Sequence, residues 1–128
     1  MIYHITSVHD WQKAIGLGVY QADSLQTEGF IHCSTQAQVS KVANAFYRGQ
    51  KQLIVLEIAP EKLHSPLHWE SPLHPDGGIL PDLEESEKFP HIYGTINPEA
   101  VLRVIALELE PDGSFILNPL KLLDNHAD

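Results

Sequence analysis

Basic residues are scarce. Eight lysines and arginines stand against seventeen aspartates and glutamates in 128 residues, for a formal charge of −9. Binding along a nucleic-acid backbone needs clustered cations to neutralise phosphates, so no general nucleic-acid partner is expected. A single small phosphorylated ligand stays open, because backbone amides, a helix N-terminus or one arginine can hold it. Cysteine is scarcer still: Cys33 stands alone, which excludes an internal disulfide and fits a reducing, cytoplasmic setting. No apolar run approaches the ~20 residues of a bilayer-spanning helix, and no membrane partner is expected. Met1-Ile2-Tyr3-His4 has no basic region followed by an apolar block, the pattern of a secretory signal. The glycine-rich phosphate loops, the Gly-x-Ser-x-Gly elbow and the Cys-x-x-Cys pair are also missing. The oligomeric state is left open.

What is present suits one domain with a real core. Ile2 to Thr6 reads as a strand with Tyr3 and Ile5 on one face and His4 and Thr6 on the other. Ser7 and Asp10 have capping-box spacing, and Trp11, Ala14 and Ile15 form a short apolar stripe closed by Gly16 or Gly18. Thr35 and Gln38 repeat that spacing before Val39, Val42, Ala43 and Phe46, the i, i+3, i+4, i+7 pattern of an amphipathic helix. Leu53 to Ile58 is a run suited to a central strand covered on both faces. Leu67 to Glu70 reads as a short edge strand, and residues 71–88, with three prolines and two glycines, as a long surface loop. Leu102 to Glu110 is a strand that turns at Pro111-Asp112-Gly113 and pairs back through Phe115 to Leu117. Two short helices early and hairpin-linked strands late predict an α+β domain over residues 1–118, with 119–128 as a C-terminal tail.

Gly29-Phe30-Ile31-His32-Cys33-Ser34-Thr35 is the stretch most suggestive of a site. Alternation puts Phe30, His32 and Ser34 on one face and Ile31 and Cys33 on the other. A ring, an imidazole and a hydroxyl are costly to bury and read as a pocket wall. His4 shares its face with Thr6 as His32 shares its face with Ser34, so the two imidazoles are expected to line one cleft. Cys33 faces away from His32 and is read as a small buried hydrophobe. His64, His68 and His74, near Asp76 and Asp82, invite a zinc reading, but Pro66 breaks the helix that His-x3-His would need, and no metal is expected. Glu70 is a candidate acid or base at a strand end, and Phe89-Pro90-His91-Ile92-Tyr93-Gly94 gathers further rings.

Ile2-Tyr3-His4-Ile5, the Gly29–Thr35 stretch, Trp69-Glu70 and Phe89-Pro90-His91-Ile92-Tyr93-Gly94 together resemble a small bacterial domain family of unknown function, the nine-hundred-and-fifty-second of its series. The resemblance covers nearly the whole chain, and the family is similar in fold to the ADP-ribosyltransferases. It departs in two places: His68 stands where an arginine is common, and 71–88 is longer than usual. The resemblance implies a mixed or antiparallel sheet, NAD or a related nucleotide as ligand and substrate, and a catalytic set of His4 at the nicotinamide ribose, His32 near the nicotinamide ring, and Glu70 or Tyr93 in the third place. Thr6, Phe30, Ser34, His91 and Tyr93 would line the ligand. Beside the transferase reading stand a non-catalytic binding module of the same fold and a histidine-based metal-binding domain over 64–91.

Overall fold

Among the described residues the α-helices all lie in the first half of the chain. A computed structural model describes residues 1–71 and 88–123. In order these form β1 (Ile2–Ser7), α1 (Val8–Leu17), α2 (Asp23–Thr27), β2 (Ile31–His32), α3 (Gln36–Phe46), β3 (Leu53–Ile58), β4 (Leu67–Glu70), β5 (Phe89–Ile92), β6 (Val101–Leu109) and β7 (Phe115–Leu123). All pairings are antiparallel, in a four-stranded sheet ordered β1-β3-β6-β7 and a three-stranded one ordered β2-β5-β4. This is the α+β domain that the patterning predicts.

The helix starts follow their sequence signals. Asp10 N–H donates to Ser7 Oγ at 3.0 Å, and α1 ends where Gly18 enters the left-handed region at φ 85°. In α3 the capping box closes both ways: Gln38 N–H donates to Thr35 Oγ1, and Thr35 N–H donates to Gln38 Oε1. Gln38 is buried, and its amide also donates to the Lys88 carbonyl at 2.9 Å, tying the helix start to the approach to β5. Val39 and Ala43 are fully covered, whereas Phe46, expected on the same stripe, is 46% exposed at the helix's last residue.

β3 is the centre, with all six residues buried. Ile54, Leu56 and Ile58 point into a cluster between the two sheets, with Ile2, Ile31, Cys33 and Ile92. Leu53 and Val55 point the other way, into a second cluster with Tyr3, Ile5, Val39, Ala43 and Ile105 under α3. Glu57 shares that second face and is buried; Arg103 grips it with two bonds of 2.8 Å and Tyr3 O–H donates to it at 3.1 Å. A buried carboxylate is tolerable only when paired in this way.

Two boundaries differ from the sequence pattern. The pattern ends the last strand at Leu117, yet β7 runs to Leu123, because β6 continues opposite it with Val104 across from Leu123 and Ile105 across from Leu122. The single helical turn expected near Ser24 is the five-residue α2. Most of the long loop expected at 71–88, with His74, Asp76 and Asp82, lies outside the described residues, as does the end of the tail from 124.

Period-two alternation in the small sheet positions the site. One cross-strand row, Ile31–Ile92–Leu67, packs on the core; the next row, one residue along each strand, is His32–His91–His68. The outer face of the small sheet therefore carries three imidazoles side by side.

Candidate ligand site

β1 and β2 belong to different sheets and meet through a two-way bridge at Tyr3 and Ser34, with bonds of 2.8 and 2.7 Å. His4 is thereby placed against the backbone of His32, not against its ring. The His32 carbonyl can only accept, so His4 carries its proton on Nδ1 and donates across 2.6 Å. The other nitrogen, Nε2, is then the acceptor for the Tyr20 hydroxyl at 2.8 Å. Tyr20 has one proton to give, so its 2.9 Å contact with Thr6 Oγ1 is a donation from Thr6. Burial holds the His4 imidazolium off, lowering the pKa to about 4. Tyr20 is itself fixed by a backbone bridge to Ile96, two bonds of 2.9 Å. His4, Thr6 and Tyr20 are all buried, and the network fastens β2 to β1.

The second assembly is half exposed. The Phe30 ring stacks on His91 with centroids 4.2 Å apart and 20° between planes, and meets His32 at 4.8 Å and Tyr93 at 5.3 Å. His68 closes the far side edge-on to Tyr93 at 5.0 Å. Two carboxylates flank these rings. Glu70 Oε1 accepts from His91 Nδ1 at 2.8 Å and from the Tyr93 hydroxyl at 2.6 Å; Glu28 Oε1 meets His32 Nε2 at 2.9 Å. The bonds from Tyr93 and His91 hold the Glu70 carboxyl below its ordinary pKa, and Glu70 in turn pushes the Tyr93 phenol up. Burial under Phe30 lowers the His91 pKa against the opposing pull of Glu70. A neutral His91 that donates from Nδ1 carries its lone pair on Nε2, so Glu70–His91 has the orientation of a carboxylate-held general base.

Of the candidates named from sequence, Phe30, His32, Glu70, His91 and Tyr93 come together. Thr6 and Ser34 do not: both are buried, Thr6 against the Tyr20 hydroxyl and Ser34 at the bridge to Tyr3. His4 joins the group only through the His32 backbone. Cys33 lies in the core, where burial pushes its thiol pKa well up. Among the described residues, no three His, Cys, Asp or Glu side chains converge as metal ligands. Two participants were missed. Tyr20 sits in an irregular stretch with no periodicity to mark it, and Glu28 reaches His32 around the Gly29 turn, where φ is 91°. The carboxylate four residues before a strand histidine was the available signal for Glu28.

The chain matches the family described as "Protein of unknown function (DUF952)" over residues 5–104. It belongs to the DUF952 family. The crystal structure of protein CC0527 from Caulobacter crescentus superposes with a TM-score of 0.73 at 30% identity, covering 90% of this chain and 92% of that one. A double mutant of CC0527 gives the same TM-score at 29% identity, and the solution structure gives 0.64 at 30%, covering 88% and 89% of the two chains. No curated protein matches.

In this DUF952 chain a cleft of about 780 Å³ runs between β1 and the three helices. His4, Thr6 and Tyr20 line its floor, and Glu28 and His32 belong both to it and to the ring cluster. That volume is within the ~300–1,000 Å³ of small-molecule sites. No helix among the described residues is long and apolar enough to cross a membrane.

Proposed function

We propose that the ring cluster around Glu70 binds the nicotinamide-nucleoside end of an NAD-type nucleotide, and that the chain is an ADP-ribosyltransferase-like enzyme. One observation carries this reading: a single ionised Glu70 oxygen fixed by both His91 and Tyr93, beside the Phe30 ring. Transfer of ADP-ribose breaks the bond between ribose C1′ and the pyridinium nitrogen. Its electron pair leaves with nicotinamide, which departs neutral, and the positive charge passes to the ribose oxocarbenium. A preformed carboxylate stabilises that charge as it develops. A hydroxyl acceptor, or water, then bonds to C1′ and loses its proton to a base, a role that suits the Glu70–His91 pair.

A non-catalytic binding module is the second reading, favoured by His4, whose two ring nitrogens are already occupied by His32 and Tyr20. Thermal shift with NAD, ADP-ribose and nicotinamide, followed by chromatography for released nicotinamide, separates the two. Saturation at about 100 times Kd stabilises the folded state by ~2.7 kcal/mol. Under either reading NAD raises the midpoint, and His32→Ala weakens binding by about 1–3 kcal/mol without unfolding the chain. Release of nicotinamide supports the enzyme, and binding without release the module. No shift with any NAD-derived ligand sinks both.

A further inference from the structure

Charge distribution narrows the ligand. A phosphate needs a cation, an open helix N-terminus or a nest of free amides. Among the described residues, Lys13 is the only lysine or arginine that lines the cleft, and it does so in company with Asp10, Asp23 and Glu28. Both arginines are committed elsewhere: Arg103 holds Glu57, and Arg48 donates to the Asp112 carbonyl at the hairpin. Of the helices that border the cleft, α1 and α3 begin with filled caps, Ser7 and the Thr35–Gln38 box, and the uncapped five-residue α2 opens on the carboxylate of Asp23. The sequence of residues 72–87 holds five carboxylates and no lysine or arginine. His4 and His91 add no steady positive charge, since burial disfavours both imidazolium forms.

A flat cation meets the opposite conditions. The rings of Phe30, His32 and Tyr93 form an aromatic wall, and aromatic faces attract cations. Glu28 stands at one end of the wall through His32, and ionised Glu70 stands at the other through His91 and Tyr93. We infer that this site selects a cationic, flat nitrogen heterocycle at the nucleoside level, a pyridinium nucleoside, and that each phosphate added to the ligand weakens binding. The inference rests on the reading above for where the ligand sits, and it makes NAD a weaker ligand than its unphosphorylated pyridinium end.

Calorimetry at low salt with four probes tests it: nicotinamide riboside, its neutral reduced form, the mononucleotide and NAD. The expected order places the riboside first, about tenfold tighter than the mononucleotide and about five- to tenfold tighter than the reduced, uncharged form. Glu70→Gln should reduce riboside affinity about tenfold and bring the charged and reduced forms together. Added salt should weaken the riboside and relieve the penalty on the mononucleotide. Mononucleotide or NAD binding as tightly as the riboside overturns the inference while leaving the NAD-type reading standing. Equal affinity for charged and reduced ribosides overturns the cation selectivity. If none of the four binds, the inference falls together with the reading on which it rests.

Discussion

His4 and His32 share a local pattern, a strand imidazole two residues ahead of a hydroxyl, and the fold treats them oppositely. His4 is 6% exposed, neutral and bonded at both nitrogens, while the His32 side chain is 34% exposed and bonded through Nε2 to a carboxylate at the cleft. Alternation states which residues share a face, but not whether that face looks out or lies between two layers. β1 belongs to the larger sheet, and its histidine face is covered by the segment carrying Tyr20 and by the backbone after β2. β2 belongs to the smaller sheet, and its histidine lines the cleft beside Glu28. One region is therefore a fastening and the other a partly exposed face that borders the cleft.

The largest effect should come from breaking the fastening. His4→Leu removes the donor to the His32 carbonyl, leaving that buried oxygen without this partner, and removes the acceptor for the Tyr20 hydroxyl, which keeps only Thr6. Stability should fall by about 2–4 kcal/mol in urea unfolding. A loss below about 1 kcal/mol would mean that the network fastens nothing.

Acid should do the same more gradually. The folded pKa of His4 is lowered to about 4, while the unfolded chain titrates near 6.5. Between those values the unfolded state takes up a proton that the folded state refuses. The contribution is therefore complete above about pH 6.5, declines as pH falls, and is lost near pH 4, on the order of 3 kcal/mol in all. Glu57 and Glu70, with lowered pKa values, add losses as pH falls below their unfolded values. The wild type minus His4→Leu difference isolates the histidine, and a flat difference between pH 6.5 and 4 would contradict its burial as the neutral form.

The two regions were unequally legible in sequence. Local signals gave the capped helices, the central β3 strand and the His4/Thr6 face, because each depends on residues within a few positions. They also brought five members of the ring cluster into consideration, since alternation along β2 and the sequence around His91 are local. The Glu70–His91 bond was out of reach: it depends on the register of β4 on β5, which sets Glu70 opposite Phe89 and diagonal to His91. Tyr20 was invisible for the same reason, its place being set by a bridge to Ile96. Ser34 was misplaced because its strand ends at His32 and the chain then bridges to β1.

A smaller effect should separate the ring cluster from the core. Phe30→Ala removes a partly buried ring from one sheet face, and the loss should be about 1–2 kcal/mol, below that of a core residue. The sharper readout is His91. With the covering ring gone, the desolvation that lowers its pKa weakens while Glu70 still favours the charged form, so NMR titration should show the His91 pKa rising. An unmoved His91 pKa would mean that Phe30 does not shield it.

The smallest effect belongs to Cys33. It follows His32 directly, and its N–H donates to the Pro90 carbonyl at 3.0 Å, but its thiol turns into the cluster between the sheets. Burial opposes the thiolate, so the sulfur is a space-filling atom and not a nucleophile. Cys33→Ala leaves the backbone bond in place and removes one buried atom, at a cost of about 1 kcal/mol or less. Ligand affinity should not change, because the side chain points away from the face that carries His32. Iodoacetamide should modify the wild-type thiol no faster than the chain opens, so the labelling rate should rise with urea and follow unfolding. Fast labelling of the folded protein, or a loss of ligand binding in Cys33→Ala with stability intact, would place the thiol on the site face and reverse the assignment of the two faces of β2.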